Sequence, residues 1–108
     1  YNLVDTDAHT VDPPHLWERY MPKKYHADMP RMVKDERGGD AWEFGRGVPP
    51  RPLGMVVTPG QRYEDMHWLG AKYSDFRKGC WDGHARLEDM DFDGIDAQVL
   101  YPWPSLIN

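Results

Sequence analysis

At 108 residues and a formal net charge of -5, the chain has the length of one domain and is too acidic to suit a phosphate backbone, so nucleic acid is not an expected partner. Ten prolines, ten glycines and 29% charged residues leave little material for a compact core, and no stretch is apolar enough to suggest a membrane partner. The single Cys80 excludes an internal disulfide and fits a reducing compartment, the cytoplasm.

The first predicted element is a strand. Residues 3–9 (Leu-Val-Asp-Thr-Asp-Ala-His) alternate, which places Asp5, Asp7 and His9 on one face. Asp12-Pro13-Pro14 reads as a helix start with Asp12 as N-cap, and the short helix through Leu16, Trp17 and Tyr20 stops at Pro22. The chain opens on Tyr1 without an initiator methionine, so residues upstream of it are expected. Residues 23–78 are punctuated by Gly and Pro and read as an irregular insertion, with residues 41–44 and 55–57 as two short strands of a hairpin. Beyond it, Asp82 is placed to cap a helix over residues 83–92, and Gly94 sits where a left-handed C-cap is expected. Residues 95–101 form a β-rich run stopped by Pro102. Strand, long excursion, helix, strand implies a parallel pair, one turn of an α/β fold.

The chemistry lies on the first strand. Asp7 and His9, two residues apart, project from the same side and can grip one divalent ion such as Zn, Fe or Mn. His15, His26, His67 and His84 are scattered without ligand spacing. The acidic series Glu88, Asp89, Asp91, Asp93 and Asp96 lacks the glycine and terminal glutamate of a calcium loop and reads as a solvated helix face.

Two separated runs carry a family resemblance. Val4-Asp5-Thr6-Asp7-Ala8-His9 with Val11-Asp12-Pro13-Pro14-His15-Leu16-Trp17, and Arg86-Leu87-Glu88-Asp89-Met90-Asp91 through Gly94-Ile95-Asp96-Ala97-Gln98-Val99-Leu100-Tyr101-Pro102, resemble the amidohydrolase-2 branch of the amidohydrolase superfamily. That branch includes relatives of aminocarboxymuconate-semialdehyde decarboxylase. The resemblance implies that residues 1–108 are the N-terminal part of a (β/α)₈ TIM barrel: first strand, inserted loop region 23–78, first helix and second strand. The remaining barrel polypeptide would follow Asn108, from the same gene product or a second subunit. It implies a homo-oligomer acting on a small molecule.

The family carries a His-x-His pair on its first strand, and Asp7 and His9 occupy those places, with Asp7 departing from the pattern. Asp5 matches an acid that supports the ligands rather than binding the ion. The implied activity is metal-assisted hydrolysis of an acyl C–N, C–O or C–S bond, with a non-oxidative decarboxylase of an aromatic or unsaturated acid as the alternative. A non-catalytic subunit or binding module is the third possibility. The resemblance puts the site where His9 and residues 101–105 end their strands, with Trp103 and Tyr101 as substrate contacts. Arg86 is a salt-bridge former or a carboxylate-recognising group. The general acid or base is not identifiable in these residues. Residues 42–81, with Arg46, Arg51, Arg62, Tyr63, Trp68 and Tyr73, are expected to form a lid over the site.

Overall fold

The computed structural model describes residues 2–103, and within them everything but the side chain of Met55. The chain divides into two compact units, one made of Tyr1–Asp12 with Arg77–Asn108, the other of Pro13–Phe76. Among the described residues no helix is long and apolar enough to cross a membrane.

The first unit is built on strands β1 (Val4–Val11) and β5 (Ala97–Trp103), which pair in parallel. Helix α2 (Gly83–Asp93) precedes β5. Its ends follow the sequence closely. The Asp82 carboxylate accepts the Ala85 N–H at 3.0 Å, satisfying one of the donors a helix start leaves open. Gly94 closes the other end at φ 73, and the Ile95 N–H returns to the Met90 carbonyl at 2.9 Å. The Arg77 guanidinium pairs with Asp89 on the helix. Among the described residues, the buried apolar side chains of this unit are few and small: Ala8, Val11 and Cys80.

The second unit has its own sheet. Strands β2 (Arg31–Lys34), β3 (Asp40–Glu43) and β4 (Arg51–Pro52) lie in the order β2-β3-β4, antiparallel throughout. The β2–β3 connection closes because Asp35 accepts the N–H groups of Arg37 and Gly39, while Gly38 takes φ 79. Among the described residues, Ala41, Trp42, Leu53, Val57 and Phe76 are the buried apolar side chains here. The Trp42 indole N–H donates to the Tyr73 hydroxyl at 2.9 Å, which lets a large ring be buried without stranding its polar atom. Short helix α1 (Leu16–Tyr20) and several 3₁₀ turns complete the unit.

This architecture corrects the expected fold class. The described residues do not form the opening of a TIM barrel: only two of the five strands are parallel, and the other three form a separate antiparallel sheet. A barrel wall needs every strand parallel to its neighbours. The segment expected to be irregular instead supplies that sheet and buries Trp42 to 2% exposure. Two local expectations also change. Asp12 does not cap α1, which begins three residues later with His15 at its N-cap; the Asp12 N–H instead extends the β1–β5 ladder to the Trp103 carbonyl at 2.9 Å. Residues 55–57 are not a strand, since Gly54 at φ 34 opens a 3₁₀ turn there.

Candidate functional site

The register of β1 on β5 decides what each residue of the first strand can reach. Val4 and Asp5 pair with Ala97 and Gln98, but the next partners are Ala8 and Leu100, so β1 spends one residue more than β5 between them. An extra residue in one strand is a bulge, and it shifts the alternation by one. Paired side chains of parallel strands share a face, so Asp5, Ala8 and Thr10 lie on one side with Gln98, Leu100 and Pro102. Asp7, His9 and Val11 lie on the other with Tyr101 and Trp103. The expected common face of Asp5, Asp7 and His9 is therefore split: Asp5 is on the helix side and the Asp7–His9 pair faces away.

On that outer face Asp7 Oδ1 stands 3.6 Å from His9 Nε2, and the two side chains are 88% and 63% exposed. Two donors bound to one tetrahedral ion, each about 2.1 Å from it, stand about 3.4 Å apart. The observed separation of 3.6 Å is close to that value. The pair's donor set, one carboxylate oxygen and one imidazole nitrogen, suits Zn, Mn or Fe. Among the described residues no group of three or more His, Cys, Asp or Glu side chains is gathered to hold an ion.

The neighbours of the pair are aromatic. The Tyr101 ring lies 6.0 Å from the His9 ring, tilted by 41°, a contact that limits where the imidazole can turn. Trp103 is half-buried at the end of β5, opposite Val11. Pro104 and Ser105, also expected near the site, lie outside the described residues.

Arg86 is placed on the other face. Its Nε donates to the Gly79 carbonyl at 2.9 Å, Nη1 to Gln98 Oε1 at 2.9 Å and Nη2 to the His9 carbonyl at 2.6 Å. All three guanidinium nitrogens thus bind protein acceptors. Gln98 Nε2 in turn donates to Asp5 Oδ2 at 3.1 Å. Sequence reasoning passed over Gln98, although a glutamine inside the β-rich run Ala97-Gln98-Val99-Leu100 is a polar residue that needs a partner. It also passed over Thr10, whose hydroxyl donates to the Cys80 carbonyl at 2.9 Å. Cys80 itself is buried and free, and burial pushes its thiol up, away from nucleophilic use.

Of the residues expected in a lid, Tyr73 serves the interior of the second unit, bonded to Trp42 and 5.3 Å from the Phe76 ring. Tyr63 and Trp68 are exposed within that unit. Comparison of the chain with protein-family models and with curated proteins finds no match.

Proposed function

We propose that the protein is a metal-dependent hydrolase of the amidohydrolase superfamily, with Asp7 and His9 as two ligands of a divalent ion. The observation that supports this most is the outward pair on β1, two metal-ligating groups 3.6 Å apart. The runs that resemble the superfamily include both residues and the β5 partner that pairs with His9. An ion held there supplies a more acidic bound water and a polarised acyl carbonyl. His9, its ring beside Tyr101, and Asp7 would hold the ion with one imidazole nitrogen and one carboxylate oxygen. Tyr101 and Trp103, on the same face as His9, offer ring surfaces for orienting a small substrate. Arg86 is given no substrate role, because each of its three guanidinium nitrogens already donates to a protein acceptor.

The same aromatic flank favours a second reading, non-oxidative decarboxylation of an aromatic or unsaturated acid. The remaining ligands come from further polypeptide, in a homo-oligomer or a larger assembly. Cys80, buried and free, supports a cytoplasmic setting.

Elemental analysis of the purified protein and two variants tests the ligand pair. Asp7→Ala and His9→Ala should each lose bound metal and activity together; undiminished metal in both would exclude them. Carbon dioxide release measured against acid release, on aromatic acids and their esters, separates the two reactions.

A further inference from the structure

We propose that Arg86, Gln98 and Asp5 form a polarised hydrogen-bond relay that sets the spacing of the Asp7–His9 pair, so that all three are positioning residues for it. The coupling to metal rests on the ligand reading above; the relay itself rests on geometry alone. A guanidinium can only donate, so its bond to Gln98 Oε1 fixes the amide with Nε2 turned toward Asp5. An ionised carboxylate can only accept. Asp5 accordingly takes Gln98 Nε2 on Oδ2 and the Asp7 N–H on Oδ1, at 3.1 and 3.0 Å. From the same guanidinium, Nη2 reaches the His9 carbonyl at 2.6 Å. The backbone on both sides of Ala8 is thereby tied to one side chain of α2.

The bulge lies within this loop of bonds, between Asp5 and Ala8. A bulge leaves a backbone N–H without its regular ladder partner. Here Asp5 accepts the N–H of Asp7, which holds the extra residue in place. The bulge also turns Asp7 and His9 away from the helix while Asp5 stays toward it. Without it, plain alternation would return Asp7 and His9 to the face of Asp5 and α2.

The order of donors and acceptors gives a specific test. Gln98→Glu leaves Arg86 paired but sets two carboxylates against each other with no donor between them. The double variant Asp5→Asn with Gln98→Glu restores every bond. The new amide at position 5 donates to the new carboxylate at 98 and still accepts the Asp7 N–H, and Arg86 still finds an oxygen. The readouts are hydrogen exchange of the Asp7 amide without metal, and Zn²⁺ affinity by competition with a chromophoric chelator. We expect Gln98→Glu to speed Asp7 exchange and weaken Zn²⁺ at least tenfold, and the double variant to recover both to within threefold.

Unchanged Asp7 exchange in Gln98→Glu would overturn the relay. Faster exchange with unchanged Zn²⁺ affinity would overturn the positioning claim. Failure of the double variant to recover, with a melting temperature equal to that of the parent, would also overturn it. If the parent protein itself binds no Zn²⁺ at His9, the ligand reading fails and the positioning claim fails with it, while the Asp7 amide still decides the relay.

Discussion

Asp35 shows how much one side chain can organise in a polar chain. Its carboxylate accepts the N–H groups of Arg37 and Gly39 on Oδ1 and that of Gly70 on Oδ2, all between 2.7 and 2.8 Å. Burial pushes its pKa up, but the three backbone donors and the Arg37 charge outweigh this and hold it below the ordinary carboxylate value. Asp35→Asn exchanges the acceptor facing Gly70 for a donor and should cost about 2 kcal/mol at neutral pH. A carboxylate lowered on folding stabilises above its unfolded pKa of about 3.9, and that stability is lost as pH falls through the folded value. The difference between parent and variant in urea melts should therefore shrink below about pH 4; a constant difference from pH 7 to pH 2 would contradict the assignment. Asp89, lowered by its bond from Arg77, and Asp82, lowered by the Ala85 N–H, act in the same direction. At this scale the Asp7–His9 pair was legible because a spacing of two needs only a strand. The position of Asp5 was not, because a bulge leaves no mark in the alternation that reveals the strand.

Among the elements, helix α2 was the most legible, since its caps are local chemistry written in adjacent residues. Gly94 at φ 73 has open space where a Cβ would be, so Gly94→Ala should cost only the conformational penalty, about 1 kcal/mol. Gly39 differs. A Cβ there would stand 2.5 Å from the Gly70 backbone, which has no flexible end to move aside. Gly39→Ala should cost clearly more than Gly94→Ala in the same denaturant titration, and equal losses would show that the contact relaxes freely. The antiparallel sheet was half legible. Residues 41–44 read as a strand because alanine and aromatic residues sit between breakers, and β3 is there. Its partners were missed because β2 is mostly exposed and β4 is two residues long and contains Pro52, which belongs at an edge.

For the whole molecule, burial is uneven. β3 holds Ala41 and Trp42 at 1% and 2% exposure, whereas α2 buries no residue. Amide hydrogen exchange should be slowest in β3 and faster by orders of magnitude in α2; the reverse order would refute this distribution of stability. The parallel strand–helix–strand unit was visible in the chain order, but the barrel built on it was not the fold, because periodicity cannot reveal a second sheet formed by pairing within a Gly- and Pro-rich segment. The functional account turns on one pair of side chains on β1. Its most direct test is a Zn²⁺ titration followed by the ring-nitrogen NMR signals of the five histidines. The account requires His9 Nε2 to shift first, ahead of His15, His26, His67 and His84, with at least tenfold weaker binding in Asp7→Ala. A titration in which another histidine responds first, or in which Asp7→Ala leaves the His9 shift unchanged, would contradict it.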